Sequence, residues 1–367
     1  MVSRITFFPV SNGDSTLIEH SGKTILTDVN YRANCEDDDE PEYDFAPDLQ
    51  EACHRGRRDY RLSLFPLTHP DRDHLGGFTK LFYTGDPNRY ADRPRTDDKL
   101  ILVEEMWVSP YTINPHYPTD ASAPVFAEVR RRRSLMGTAA GRLDGNRLRV
   151  LDTRDAAGTF APGIAWRLLA PTPQEAAIPE APEGEDPTST NNSSLVIQWS
   201  LDVDGGITEL ILAGDAEVEV WERLWRDHGR NPIALRRHIL LAPHHCSRGS
   251  MARKVEEDHY EYSAAALAAL GQANGIGFIV ASSKPIKNDD DNPPSWDARL
   301  RYLQMLRNSG ASNPESRFLN PETHLGGKPD PVVFDLSRHG PSLRVPGTSA
   351  RGKSALGVSA TSAPVYG

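Results

Sequence analysis

Short apolar segments separated by polar turns dominate the first 110 residues of the chain. Apolar positions at 4–10, 15–20 and 24–29 predict three strands, and Ser21-Gly22-Lys23 predicts a hairpin turn between the second and the third. Further strands are predicted at 61–68, 100–103 and 105–108, and a helix at 49–60. The N-terminal part is therefore expected to be rich in strands.

The second half of the chain alternates strands with helices. Strands are predicted at 163–169, 195–199, 208–213, 238–242 and 277–282, and helices at 125–135, 217–227, 263–272 and 296–308. This order favours one large layered α/β domain. We expect that domain to span 1–345 with insertions at about 31–60, 84–140 and 171–190, followed by a disordered Ser/Ala/Gly-rich tail at 346–367.

Composition places the chain among globular proteins of the cytoplasm. Of its 367 residues, 38% are hydrophobic and 25% are charged. No segment approaches the ~20 apolar residues of a membrane-spanning helix, so no membrane interaction is expected. The apolar segment at the N-terminus is too short for a signal peptide. Cys35, Cys53 and Cys246 form an odd set without a CxxC motif, which excludes a disulfide scaffold.

The net charge restricts the kind of partner. The chain has 41 Lys and Arg against 51 Asp and Glu, a formal charge of −10. Sequence-independent binding of long nucleic acid relies on Lys and Arg side chains that release counterions from the phosphates, and a net negative charge argues against it. A phosphate-containing substrate held by a metal ion is compatible with this charge.

One motif brings four candidate metal ligands together. His69, Asp71, Asp73 and His74 lie within six residues at the end of a predicted strand, and Gly76-Gly77 follows. Imidazole and carboxylate together suit zinc, manganese or iron, and a set rich in oxygen favours manganese. The glycines allow the backbone to approach the site closely.

Further ligand types follow other predicted strands. Asp215 comes after the strand at 208–213, where a carboxylate can bridge two cations, and His244-His245 comes after the strand at 238–242. Taken together with the four-ligand motif, these residues predict a metal site at the strand ends.

These motifs carry a resemblance to a known family. The order of Asn12-Gly13-Asp14-Ser15, Thr27-Asp28, His69 to Gly77, Asn191 to Val196, Gly214-Asp215 and Pro243-His244-His245 resembles the metallo-β-lactamase fold, and most closely the branch with the soluble domain of the competence DNA-uptake protein ComEC. The resemblance implies a four-layer αββα sandwich with two divalent metal ions, Zn²⁺ or Mn²⁺, at one edge.

The resemblance also implies roles for individual residues. His69 and Asp71 would bind the first metal, Asp73 and His74 the second, and Asp215 would bridge them. One of His244 and His245 would complete the set of ligands around the second metal, and we assign His244 to this place. We assign Asp73, Asp215 and His245 to catalysis. Asp14 and Asp28 match positions behind the site, where a carboxylate orients a ligand histidine. Apart from the resemblance, Lys284 and the arginine-rich segments at 55–61 and 130–133 are candidates for further contacts to a substrate phosphate.

The chain departs from the family pattern at three places. Asp71 stands where the wider fold has histidine, and Asn191-Asn192-Ser193 replaces a separate histidine for the first metal, so that Asn192 offers only a neutral oxygen. Asn292-Pro293-Pro294 stands where related sequences carry a histidine near the substrate.

Three functions remain open at this point. The first is a metal-dependent hydrolase of phosphodiesters, a nuclease or a nucleotide phosphodiesterase that uses a metal-activated water. The second is a hydrolase of another bond, such as a lactam, thioester or lactone. The third is a catalytically weak, metal-bound protein that binds a protein partner through its insertions.

Overall fold

The structure is a computed structural model that describes residues 2–31, 43–113, 120–177, 190–256 and 259–345. The expectations for the acidic part of the first insertion, for most of 171–190 and for the tail at 346–367 lie outside the described residues. No helix in the described part is long and apolar enough to cross a membrane.

The strands in the first part of the chain are β1 (Arg4–Phe7), β2 (Thr16–His20), β3 (Lys23–Thr27), β4 (Val29–Asn30), β5 (His54–Gly56), β6 (Asp59–Leu62), β7 (Phe65–Leu67), β8 (Phe82–Tyr83), β9 (Ile101–Val103), β10 (Glu105–Val108) and β11 (Arg147–Val150). Those in the rest are β12 (Ala157–Ala161), β13 (Ile164–Ala170), β14 (Val196–Val203), β15 (Gly206–Leu212), β16 (Arg237–Leu241), β17 (Ala252–Glu256), β18 (His259–Tyr262), β19 (Ala273–Val280), β20 (Phe318–Leu319), β21 (Val332–Ser337) and β22 (Gly340–Leu343).

The described α-helices are α1 (Ala46–Cys53), α2 (Arg72–Leu75), α3 (Phe78–Leu81), α4 (Pro110–Ile113), α5 (Ala123–Ser134), α6 (Pro173–Ala176), α7 (Val218–His228), α8 (Pro243–Cys246), α9 (Ala264–Leu270) and α10 (Trp296–Asn308).

The first sheet is built from both ends of the described chain. Its antiparallel part has the order β22-β21-β1-β2-β3, with Ile5 opposite Ile18 on one side and Phe334 on the other. Backbone hydrogen bonds from Leu26 to Leu64 and from Asp28 to Pro66 connect β3 to the segment of β7, which continues in parallel to β10 and β11. The ends of β3 and β7 therefore lie side by side.

The second sheet changes from antiparallel to parallel across its width. Its order is β12-β13-β14-β15-β16-β19-β20, and β15, β16, β19 and β20 run in parallel. Parallel strands end at the same edge of a sheet, which is where ligands bind in α/β folds. The segments after β15, β16 and β19 are thereby brought together.

Three apolar clusters separate four layers. The middle cluster lies between the two sheets and includes Ile5, Phe7, Trp107, Trp199 and Leu210. A second cluster joins the outer face of the second sheet to α7, α9 and α10, and a third joins the outer face of the first sheet to α1, α3 and α5. The predicted αββα sandwich is confirmed.

The sequence located most of these elements, with differences at their bounds. The helix predicted at 49–60 is wrong beyond Cys53, where β5 and β6 begin. The strand predicted at 61–68 is divided between β6 and β7. The hairpin β17–β18 and the strands β21 and β22 were not predicted.

Successive side chains of β14 point to opposite faces of the second sheet, and this alternation places Trp199 in the middle cluster. Ile197, Trp199 and Leu201 face the other sheet, while Val196 faces the helices. Trp199 is 0% exposed and stacks on Trp107 with ring centroids 5.7 Å apart and planes inclined by 12°. The indole fills the space between the two sheets.

We predict that Trp199→Ala lowers the free energy of unfolding by about 3–5 kcal/mol, because the surroundings cannot close a cavity of this size. Chemical denaturation followed by circular dichroism measures it. Leu300→Ala is the control, since Leu300 is 43% exposed on α10 and its truncation costs less than about 0.5 kcal/mol. Equal losses in both variants would contradict this account of the core.

Candidate metal centre

Strand ends of both sheets supply the polar side chains of the site. Asp28 follows β3, His69 follows β7, Asp215 follows β15, and His244 and His245 follow β16. The last residues of β7, β15 and β16 are apolar and buried, and the polar site residues come where the chain leaves the sheets. The sequence-predicted residues thereby meet at one edge of the sandwich.

Several turns at this edge have left-handed backbone. Asp28, His244 and His245 have φ of 56°, 50° and 51°. Such conformations cost of order 1–3 kcal/mol each in residues other than glycine and occur preferentially at functional sites. Gly214 has φ 48°, and a Cβ there would lie 2.6 Å from Thr68 Oγ1, so only glycine fits before Asp215.

Asp215 is the centre of the arrangement, with one carboxylate oxygen toward each of two groups. Oδ1 lies 3.0 Å from His74 Nε2 and 3.5 Å from His245 Nε2. Oδ2 lies 3.8 Å from His69 Nε2 and 3.6 Å from His244 Nε2. One buried carboxylate thus lies between two pairs of imidazoles.

Further carboxylates complete each group. Asp71 Oδ2 lies 3.6 Å from His69 Nε2, and Asp73 Oδ2 lies 3.3 Å from His245 Nε2. Asp14 lies 3.6 Å from His245 Nδ1. We call Asp14, Asp71, Asp73 and Asp215, with their four histidines, the imidazole–carboxylate cluster.

Asp14 lies deeper in the site than the sequence indicated. Asp14, His74, Asp215 and His245 are all buried, and one potential ligand atom from each lies within 4.8 Å of the others. The sequence placed Asp14 behind a ligand histidine. It lies inside the imidazole–carboxylate cluster.

Asp28 has the supporting position that the resemblance implied. Its Oδ2 lies 2.8 Å from His74 Nδ1 and accepts a 2.6 Å hydrogen bond from Thr68 Oγ1, while its Oδ1 accepts from Thr68 N at 2.7 Å. His74 therefore donates through Nδ1 and turns Nε2 toward Asp215. On the other side, His245 Nδ1 lies 3.1 Å from the carbonyl oxygen of Ser282, which leaves its Nε2 toward Asp73 and Asp215.

Two predicted site residues lie outside the cluster. Asn192 Oδ1 accepts from Glu217 N at 3.1 Å at the start of α7, so this side chain supports a helix terminus. Lys284 is exposed, and its backbone N donates to Asn12 Oδ1. Thr190, whose hydroxyl donates to Asp71 Oδ1, was not predicted, because no motif in the sequence marks it.

The division of the two consecutive histidines differs from the one implied by the resemblance. His245 is buried beside Asp73 and His74, whereas His244 lies on the side of His69 and Asp71. The group of His69 and Asp71, which was expected to hold a first metal with His69 as its only histidine, thus also includes His244.

Charge interactions outweigh burial at His74, His245 and Asp215, whereas burial prevails at His244 and lowers the pKa of that imidazole. Burial by itself lowers the pKa of an imidazole and raises that of a carboxyl group. The surrounding carboxylates, Asp215 foremost, nevertheless raise the pKa of His74 well above its ordinary value and that of His245 to about 10. The pKa of Asp215 is held well below its ordinary value by His245, His74 and His69. The carboxylates thus favour positive charge among His74, His245 and Asp215, either as protonated imidazoles or as bound cations.

Buried atoms of the cluster have no hydrogen-bond partner within the described ranges. They are Asp14 Oδ1, His69 Nε2, His74 Nε2, Asp215 Oδ1 and His245 Nε2. An unsatisfied buried polar atom costs about 1–3 kcal/mol. Carboxylate oxygens and neutral imidazole nitrogens are donors that zinc and manganese accept, so these residues fit divalent metal ions.

The site has a buried floor and an open mouth. Asp215, His69, His74 and His245 form the floor, with side chains 5% exposed or less. Asp71 and Asp73 are 41% and 38% exposed, and they form the mouth. Among the described residues, these two carboxylates are the most exposed members of the cluster, so a substrate is expected to approach from their side.

Comparison with known proteins gives structural likenesses alone. No family model and no curated protein sequence matches the chain. Zn²⁺-bound PqqB from Methylobacterium extorquens is 12% identical with a TM-score of 0.40, and the match covers 91% of this chain and 100% of PqqB. Igni18, a metallo hydrolase from Ignicoccus hospitalis, is 13% identical with a TM-score of 0.38 over 92% of this chain and 100% of Igni18.

A B3 metallo-β-lactamase with an active-site glutamic acid is also similar to the chain. It is 13% identical with a TM-score of 0.35, and the match covers 85% of this chain and 91% of the lactamase. These proteins are similar to the chain in fold alone. The chemistry of the site therefore follows from the side chains of this chain itself.

Proposed function

We propose that this protein is a metal-dependent hydrolase that binds two divalent cations and cleaves phosphodiesters. The observation that carries the proposal is the position of Asp215 between two imidazole pairs, with one oxygen toward each pair. A carboxylate in this position can bridge two cations, and the unsatisfied atoms around it supply the remaining donors.

The chain divides its ligands between two positions. His69, Asp71 and His244 would hold the first cation, Asp14, Asp73, His74 and His245 would hold the second, and Asp215 would contact both. Bound cations would polarise the scissile phosphodiester and lower the pKa of a water molecule. Asp28 and the Ser282 carbonyl orient His74 and His245, so the donors are fixed before a substrate arrives.

Two exposed cations close in sequence to site residues support an anionic substrate. Arg72 lies between Asp71 and Asp73, and Lys284 comes two residues after Ser282, whose carbonyl oxygen lies against His245 Nδ1. Both side chains are exposed, and neither forms an ion pair with a described residue. An unpaired cation beside a metal site is available to a phosphate oxygen.

The finer parts of the proposal come from the sequence. The resemblance to the ComEC branch supports a nucleotide or nucleic acid as the source of the phosphodiester. The described cysteines, Cys53 and Cys246, are buried and free, which is compatible with a cytoplasmic protein. A protein partner at the insertions remains a proposal of its own.

We expect the wild-type protein to bind two divalent cations and Asp215→Asn to lose at least one, because the amide cannot bridge two positive charges. Elemental analysis and calorimetric titration with Mn²⁺ measure both quantities. Asp227→Asn is the control, since Asp227 lies at the surface on α7. Wild-type metal content in Asp215→Asn would disprove the bridging role.

Metal binding at pH 7 should release protons. The pKa of His245 is raised to about 10, so at pH 7 without a bound cation both ring nitrogens are protonated and the side chain is positively charged. A histidine that binds a metal must be neutral and therefore loses one of these protons. The number of protons released should fall as the pH rises through 10. Calorimetry in buffers of different ionisation enthalpy gives that number, and a binding enthalpy independent of the buffer would contradict the prediction.

The substrate class can be tested with a generic phosphodiester, phosphomonoester, lactam, lactone and thioester. We expect turnover of the phosphodiester, with a larger gain from Mn²⁺ than from Zn²⁺, because four carboxylates make the donor set rich in oxygen. Asp215→Asn should reduce turnover to background. Lys284→Met should raise KM by about 10-fold, as for loss of a charged hydrogen bond.

The other outcomes separate the remaining functions. Turnover of the lactam, lactone or thioester alone would select a hydrolase of another bond. No turnover with either metal in a protein of full metal content would favour the non-catalytic partner.

A further inference from the structure

The segment after β19 leaves the sheet beside the metal centre and returns to begin α10. Lys284 and Pro293 mark its two ends, and we call residues 284–293 the rim loop. Its start is fixed to the sheet edge, since Asn320 Nδ2 donates to the carbonyl oxygens of Ser283 and Lys284 at 3.1 Å. The loop itself is mostly exposed and contains Asp289, Asp290 and Asp291.

A single side chain bonds both ends of the rim loop. Asn12 Oδ1 accepts from Lys284 N at 2.9 Å, and Asn12 Nδ2 donates to the carbonyl oxygen of Pro293 at 3.0 Å. The two contacts use opposite atoms of one carboxamide. A carboxylate of the same shape would keep the first contact and lose the second, because it has no donor.

Asn12 is itself attached to the metal centre. Its carbonyl oxygen accepts from Asn30 Nδ2 at 3.4 Å, and Gly13, which follows it, accepts from Ser282 Oγ at 2.6 Å. Asp14 of the imidazole–carboxylate cluster comes next in the chain. A Cβ at Gly13 would lie 2.2 Å from Asn30 Nδ2, so this turn cannot shift to accept a larger residue.

The two ends of the rim loop are connected to the segment that contains His245. Ser282, two residues before the loop, offers the carbonyl oxygen for His245 Nδ1. At the other end, Asn292 Oδ1 accepts from Ser247 Oγ at 3.1 Å and from Arg248 N at 2.8 Å. The position of the loop is therefore coupled to the segment that carries the histidines.

We propose that Asn12 is a positioning residue that holds the rim loop closed and so places Lys284 at the mouth of the metal centre for the substrate's phosphate. The effect on substrate binding rests on the proposed function, whereas the effect on the loop does not. Asn12 acts on substrate binding through the loop and leaves the metal ligands in place.

The test compares Asn12→Asp and Asn12→Ala with Asn292→Asp. Asn292 uses only its oxygen in its contacts with Ser247 and Arg248, so its aspartate variant keeps those contacts and adds the same charge as Asn12→Asp. Metal content, amide hydrogen exchange of peptides from 284–294, and KM and kcat for the generic phosphodiester are measured on all variants.

We expect both Asn12 variants to exchange faster in the rim loop, with kcat and metal content unchanged. Asn12→Asp, which loses one neutral hydrogen bond, should raise KM by about 5-fold, and Asn12→Ala, which loses both, should raise it at least as much. Asn292→Asp should behave like the wild type. Wild-type exchange and KM in Asn12→Ala would overturn the proposal, and so would a loss of kcat together with metal, which indicates a merely structural role.

The two proposals fail in different ways. If the wild type cleaves no phosphodiester, the proposed function is wrong, while the exchange rates still decide whether Asn12 holds the loop. If the wild type cleaves phosphodiesters and the Asn12 variants exchange and bind substrate normally, the function stands and the role of Asn12 is wrong.

Discussion

A buried carboxylate surrounded by imidazoles is the constraint on which the rest of this structure depends. Burying Asp215 without partners would cost several kcal/mol, and the group would take up a proton instead. His69, His74, His244 and His245 approach it from two sides, and His245, His74 and His69 hold its pKa well below the ordinary value. The two sheets must therefore end at the same edge, because each of them supplies part of this environment.

The local backbone at this edge follows from the same requirement. His244 and His245 both adopt left-handed conformations directly after β16, which turns consecutive side chains toward different oxygens of Asp215. An extended pair would direct the two imidazoles to opposite faces of the sheet. The apolar clusters on both faces of β16 stabilise the fold and so offset the strain of this turn.

The sequence predicted the site because its ligands follow apolar strands, and that signal is local. His69, Asp215 and the histidine pair each come two to four residues after the end of a strand. The depth of Asp14 and the division of His244 and His245 depend on backbone angles in turns, which residue types alone do not determine. Likewise β21 pairs with β1 from the opposite end of the chain, a contact without a local signal. The helix predicted at 49–60 is wrong beyond Cys53 because β6 pairs there with the distant β9.

The candidate ligands differ in solvent exposure, so the two proposed cation positions would differ in their access to substrate. Asp14, His74, Asp215 and His245 are buried on all sides, so a cation among them would exchange slowly and contribute chiefly to holding the strand ends together. Asp71 and His244 are more open, with side chains 41% and 20% exposed, and a cation between them would meet the substrate first. Arg72 lies at this same opening, between two carboxylates in the sequence. Its exposed guanidinium forms no ion pair with a described residue. With cations bound to the two carboxylates, it would add a positive charge for an anionic substrate at the side where Asp71 and Asp73 are open.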